Sequence, residues 1–230
     1  MELRTLVDSI GARYERSGNT FFRLLSGNAM SSAGFLYTQA QFFYAVRHFN
    51  RPMSLLSARL ENLDQRLLLQ RNVWEEHGEG DKASSHENTF TTLLARLSAK
   101  MRREAREIDV GPEVQIFNSA LMGACGFGSV PHALAAFCMI ERMFANDSAK
   151  IGSAIVKNQW LAREDLSHYV LHADIDVGHA NDFLKAIELC PGLERKDVQD
   201  DVRRGLVFGA TLLWNLFEGL AREAAAFERS

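Results

Sequence analysis

Apolar residues in this chain recur every three or four positions over most of its length, and strict alternation is nearly absent. That periodicity commits the backbone to helices, because a strand would need a repeat of two. Punctuation is sparse as well: four prolines and sixteen glycines in 230 residues are too few for a many-turned β-sandwich or barrel. The pattern predicts a short helix over 2–16, broken at Ser17-Gly18-Asn19, and an aromatic helix over 31–50 that stops before Pro52. A helix over 53–77 follows, with Leu56, Leu60, Leu63, Leu67 and Val73 on its buried side, and His77-Gly78-Glu79-Gly80-Asp81 ends it. Ser84-x-x-Glu87 reads as a capping box opening a helix that runs to about Glu107, and Val110-Gly111-Pro112 closes that unit. Further helices are expected at 113–127, 131–148, 149–160, 163–189 and 197–228. No linker, charge block or internal repeat divides the chain, so the expectation is a single all-α domain over 1–230 with about seven to nine helices.

Composition removes several function classes. A formal charge of −3 leaves no basic field to hold a phosphate backbone, so nucleic acid is not an expected partner. Three cysteines, an odd number without a CxxC, argue for a reducing compartment and against a disulfide framework or zinc knuckle. The N-terminus is charged throughout and no run of 18 apolar residues occurs, so the reading is a cytoplasmic protein without a membrane partner.

The most informative stretch is Asp165 to His179, which contains His172, Asp176 and His179 as H-x3-D-x2-H. On a helix, positions +4 and +7 lie at about +40° and −20° from the first residue, so all three project from one face. Two metal ions about 3.5–4 Å apart could share the central carboxylate while each flanking imidazole takes one ion. Imidazole with carboxylate suits iron or manganese better than calcium or a thiolate zinc site. The competing reading is a solvated helix face. More carboxylates would be needed, and Glu141 offers one: Phe137, Cys138, Phe144 and Ala145 surround it at helical spacing, where an unpaired charge is costly. Glu75, Glu76, Glu79 and His86, around the glycine break, offer others; taken alone that segment reads as surface charge.

Taken together, these motifs resemble the haem-oxygenase-like diiron oxidases and oxygenases, also described as iron-containing redox enzymes. Asn72-Val-Trp-Glu75-Glu76-His77-Gly78 matches the family's first step, His86 follows Glu76 by ten, Glu141 follows His86 by 55, and His172 follows Glu141 by 31. The flanks are similar too: Phe21 to Gly27, the aromatic helix at 35–49, and Arg66 to Asn72. The resemblance spans about 20 to 220. It implies a haem-oxygenase-like (TENA/PqqC-like) helical bundle and six metal ligands: Glu76, His86, Glu141, His172, Asp176 and His179. Glu75 and Glu79 are alternatives to Glu76 within one turn. It further implies two ferrous ions, with manganese as an alternative metal, and O2 as co-substrate reduced to a peroxo-bridged species. The substrate would be a small amino-acid-like or fatty-acid-like molecule undergoing desaturation, C–C cleavage or hydroxylation. An electron donor and a homodimer built on 206–217 are the further partners considered. Family members that N-oxygenate carry an extra glutamate on an earlier helix; from Ser31 to Leu60 this chain has no Asp or Glu, with Glu61 the nearest, which counts against that reaction.

Two other readings stand beside this one. The first is a metal-free enzyme of the same architecture, either a thiaminase-like hydrolase, which needs an activated cysteine, or a quinone-cofactor oxidase. Cys125, Cys138 and Cys190 have no nearby His and Asp in sequence to activate them. The second is a non-enzymatic helical interaction protein. His168, a turn before His172, lies too far along the helix to bind the same ions and is expected behind a ligand or at the surface. Tyr37, Gln41, Tyr44 and His48 share a helical face and read as core with satisfied polar tips, and Trp74, Trp160 and Trp214 as core. Arg47, Lys157 and Arg163 are candidates to hold a substrate carboxylate by charge alone.

Overall fold

The computed structural model describes residues 2–101 and 109–229, and their side chains except at 167 and 171–174. The end of the helix expected to reach Glu107 therefore lies outside the described residues. The architecture is an all-α bundle, with no strand among the described residues. Its helices are α1 (Leu3–Gly11), α2 (Thr20–Ser26), α3 (Ser32–Arg59), α4 (Leu63–Glu76), α5 (His86–Met101), α6 (Pro112–Phe127), α7 (Val130–Lys157), α8 (Ser167–Glu188) and α9 (Lys196–Phe227). Short 3-10 turns follow α1, α4 and α7. None of the helices is long and apolar enough, over the described residues, to cross a membrane.

Local chemistry sets the starts of the helices. The side chains of Asn19, Ser31, Asn62 and Ser129 each accept a hydrogen bond from a backbone N–H in the first turn that follows, satisfying a donor the helix cannot. α5 begins differently from the expected capping box. Ser85, not Ser84, accepts from the Asn88 N–H, while the Ser84 hydroxyl is drawn back to Asp81.

α7 is the central helix. Residues 133–141 are buried all round, and α8 and α9 pack along opposite flanks. The α7–α9 approach needs Gly205 and Gly209, one turn apart on α9. A Cβ at either would press into the His132 or Ala136 carbonyl of α7, well inside van der Waals separation. Behind α7, α3 packs against α4, α5, α6 and α9.

Three boundaries differ from the sequence expectation. α3 runs through Pro52 to Arg59, because Met53, Leu56 and Ser57 are fully buried and their packing outweighs the one backbone bond the proline removes. The break falls at Leu60–Asn62, which rotates the next helix. Leu56 and Leu60 are buried as expected, but Leu63 and Leu67 are 58% and 59% exposed. Trp74, expected in the core, is 54% exposed on the same side of α4. The helices expected at 131–148 and 149–160 are one, since Ile151, Ala154 and Ile155 continue the buried stripe of α7. The segment 206–217 spends its apolar side in the core, with Leu206, Ala210, Leu213, Leu216 and Phe217 buried.

Candidate metal centre

Four helices deliver the charged side chains to the interior. On α4 the inward face carries Gln65, Leu69, Asn72 and Glu76 at helical spacing, so Glu76 arrives buried at the last turn. The chain then reverses through Gly78 and Gly80, both at positive φ, with Glu79 also in the left-handed region at φ 53°. A Cβ at Gly78 would collide with the backbone of Ser84 and Ser85, so glycine is required for so tight a reversal. This turn sets His86 as the first residue of α5, buried, with Nδ1 2.9 Å from Glu76 Oε2. Glu141 enters from the middle of α7, and Asp176 and His179 from α8, all three buried.

The ligand atoms converge. Glu76, Glu141 and His179 each offer one within 4.8 Å of the others. His179 Nδ1 lies 3.6 Å from Glu141 Oε2 and 3.9 Å from Asp176 Oδ1. Its other ring nitrogen, Nε2, is 2.7 Å from Glu75 Oε2. The structure therefore separates the two adjacent glutamates: Glu76 points into the cluster and Glu75 backs the histidine from outside. Glu79 is exposed. The side chain of His172 lies outside the described residues; its backbone is on α8, one turn before Asp176.

The electrostatics are those of crowded anions held out of water. Burial raises the Glu141 carboxyl to about 7, and Asp176 and Glu76 push the same way against His179. Burial likewise holds Asp176 well above the ordinary carboxylate range. Burial alone would lower His179, but Glu141, Glu76 and Asp176 outweigh it and push the imidazole up to about 10. Among the described residues, Glu141 Oε1 and His179 Nδ1 have no hydrogen-bond partner. Hard carboxylate oxygens with imidazole nitrogens and unsatisfied capacity fit a divalent iron ion.

A supporting layer was not anticipated from the sequence. Asp182, three residues after His179, accepts from Asn72 Nδ2 at 3.0 Å and pairs with Arg71, tying α4 to α8 behind the cluster. Gln65 Nε2 donates to the Ala186 carbonyl at 2.6 Å and extends the same seam. The i, i+3, i+6 series Asp176, His179, Asp182 was the available signal. His168 is not at the surface. It is fully buried, with Nδ1 3.0 Å from Thr89 Oγ1 and its ring edge-on to Phe90 and, farther off, to His86.

A small cavity of about 40 Å³ opens beside the cluster. α3 supplies Phe42, Ala45, Val46 and Phe49, α6 supplies Phe117, α7 supplies Ile140 and Phe144, and α9 supplies Leu213. The polar face of α3 singled out in the sequence points elsewhere: Tyr37 stacks on Phe227, and Gln41 bridges the Asp109 carbonyl and the Gly111 N–H. Arg47 pairs with Glu87 at 3.0 Å near the surface, and Lys157 donates to the Ser26 carbonyl at the end of α7. Neither lines the cavity, nor does Arg163. All three cysteines are buried, and burial pushes the thiols of Cys125 and Cys138 up to about 12.

Comparison with known proteins gives a family and a fold. A family model described as iron-containing redox enzyme matches residues 37–212. No curated protein matches. A CADD-like protein of unknown function from Nostoc punctiforme PCC 73102 superposes with a TM-score of 0.77 at 15% identity, covering 96% of this chain and 97% of that one. A domain of unknown function with a haem-oxygenase-like fold from Shewanella denitrificans OS217 gives 0.79 at 14%, covering 99% and 95%. A TenA homologue from Pseudomonas syringae pv. tomato DC3000 gives 0.74 at 18%, covering 95% and 92%.

Proposed function

The chain belongs to the iron-containing redox enzymes, and from that premise we propose that it is an O2-dependent diiron oxidase or oxygenase of a small substrate. Its ligands would be Glu76, His86, Glu141, His172, Asp176 and His179, with manganese as an alternative metal. The observation that carries the reading is the convergence of three buried carboxylates and two buried imidazoles from four helices.

Iron bound at this cluster supplies the electrons that reduce O2. The chain's own residues do the rest. Glu76, Glu141 and Asp176 bring negative charge to offset a pair of dications, which makes their burial affordable in free energy. Glu75 would accept a hydrogen bond from Nε2–H of His179, so that with metal bound Nδ1, which faces Glu141 and Asp176, would be the ligand atom. His168 packs against Phe90 and hydrogen-bonds Thr89, two side chains in the first turns of the helix that begins with His86, and so steadies that ligand's position. The apolar cavity excludes water from the face of Glu76, His86 and Glu141 that a substrate approaches.

Anaerobic titration with Fe(II), followed by absorption and Mössbauer spectroscopy before and after O2, tests the reading. Two irons per chain are expected, with an O2-dependent change in both spectra. Uptake well below two, or spectra indifferent to O2, would overturn it. Asp176→Ala and His172→Ala should each lose at least one iron.

A further inference from the structure

We propose that the groove between α2 and the C-terminal half of α7 binds a small organic phosphate, with Arg23, Lys150 and Lys157 holding the phosphoryl group and Phe22 and Leu25 seating the carbon body. The proposal does not depend on the metal reading. Lys150 lies nine residues beyond Glu141, about 14 Å along α7.

The groove holds about 680 Å³, the size of a metabolite site. On α7, Lys150, Ser153, Ala154 and Lys157 follow at i, i+3, i+4 and i+7, so they share one face. Across from them Arg23 and Ser26 stand one turn apart on α2, and Lys157 Nζ donates to the Ser26 carbonyl at 3.1 Å, joining the two walls at one end. Arg16, 4% exposed, lines the floor. The charge here is one-sided. In a chain of net charge −3, Glu15 is the single carboxylate on this lining among the described residues, against Arg16, Arg23, Lys150 and Lys157. Asp147 offsets Arg16. Arg142, elsewhere on α7, pairs with Asp8, whereas Arg23, Lys150 and Lys157 form no ion pair among the described residues. Arg16 adds an independent observation. Its Nε and Nη2 meet Asp147, while Nη1, also buried, has no hydrogen-bond partner. A buried donor without an acceptor is costly, and an anion seated on this floor supplies one. A monocarboxylate would neutralise one of the three unpaired cations. A phosphate monoester brings close to two negative charges and three acceptor oxygens, which suits several donors at once. Phe22 and Leu25 below and Ala154 on the wall give its carbon body an apolar seat.

Calorimetry with phenyl phosphate, inorganic phosphate and phenol on the intact chain, with and without iron, tests the proposal. Phenyl phosphate should bind about tenfold tighter than phenol and measurably tighter than inorganic phosphate, and equally well with and without iron. Raising the salt from about 50 to 200 mM should weaken it severalfold, as screening reaches a partly exposed ion contact. Lys150→Glu and Lys157→Glu should each cost about tenfold, and the double variant should not bind. Lys196→Glu makes the same change in net charge at an 88% exposed side chain of α9 and should leave binding unchanged. Lys150→Gln and Lys157→Gln, which remove the charge alone, take the place of any reversal that fails to fold. Phenol binding as tightly as phenyl phosphate overturns the proposal, and so does affinity that survives the double reversal or falls equally with Lys196→Glu. No binding at millimolar phenyl phosphate overturns it too. Binding seen only with iron present assigns the anion to the metal centre and rules out the groove.

Discussion

Arg16 and Asp147 form an ion pair sealed in the core, 4% and 1% exposed, and removing one partner should be among the most damaging changes the fold can suffer. Nε and Nη2 of the guanidinium meet the two carboxylate oxygens at 2.7 and 2.5 Å. The same guanidinium lies over the rings of Phe22, Trp214 and Phe217 at 5.2–5.7 Å. The pair therefore clamps the N-terminal segment to α7 and α9, about 9 Å along α7 from Glu141. Asp147→Asn leaves a buried cation without its anion, a loss of about 3–5 kcal/mol. For a chain of this length that is a fall of roughly 6–20 °C in Tm. Replacing both partners should behave quite differently. Burial holds the Asp147 carboxyl above its ordinary value even though Arg16 pulls it down. A carboxyl whose folded value is raised favours folding most at low pH, and that contribution is lost as pH rises through the folded value. At neutral pH the charged pair thus sits at a desolvation cost its attraction does not fully repay. Arg16→Met with Asp147→Leu should restore stability to within about 1 kcal/mol of the native chain or exceed it. Calorimetric unfolding of the native chain, both single variants and the double variant at pH 7 decides the matter. A single-variant loss under about 1 kcal/mol, or a double variant as damaged as the singles, refutes the reasoning.

The remaining predictions concern the centre and the thiols. Glu75→Ala should weaken iron binding about tenfold to a hundredfold by chelator competition while stoichiometry stays at two, with Glu75→Gln between; an unchanged affinity removes Glu75 from any role in orienting His179. Removing iron should speed hydrogen exchange from Glu76 to Phe90, where two proposed ligands flank a glycine reversal, and equally slow exchange with and without metal counts against those ligands. The three cysteines should resist a disulfide reagent at pH 8 and react together on unfolding. Since the Cys125 and Cys138 thiols sit near 12 when folded, stability should fall as pH rises above about 9, and prompt labelling of the native chain would contradict their burial.

What the sequence revealed of the site depended on how local the signal was. His172, Asp176 and His179 lie on one helix, so spacing alone places their Cα–Cβ directions on one face. Glu141 stood out as a charge inside an apolar stripe, which is also a local signal. The choice between Glu75 and Glu76 was not local, because it depends on the rotation of α4, and that rotation follows from where α3 ends. Pro52 reads as a helix stop, yet the buried Met53 and Leu56 carry α3 past it to Arg59, and the later break turns Leu63, Leu67 and Trp74 outward. Asp182 carried only its i, i+6 spacing from Asp176 as a signal; its partners Asn72 and Arg71 come from α4 and show only in the packed α4–α8 seam.

The cavity shows the same limit from the other side. α3 carries two interleaved faces, one with Tyr37, Gln41, Tyr44 and His48 and one with Phe42, Ala45, Val46 and Phe49. Polar residues on a helix attract a functional reading, but here the structure anchors Tyr37 and Gln41 to neighbouring segments. The plain hydrocarbon face meets Ile140, Glu141 and Phe144 of α7 instead. α7 thus presents one proposed ligand and two apolar contacts to the same space within about a turn of helix. Gly205 and Gly209 let α9 close against α7 backbone to backbone, so α7 has little room to shift its ligand relative to the cavity wall. On the proposed reading one rigid element would set both the metal position and the cavity wall, and a substitution that moves α7 should disturb both together.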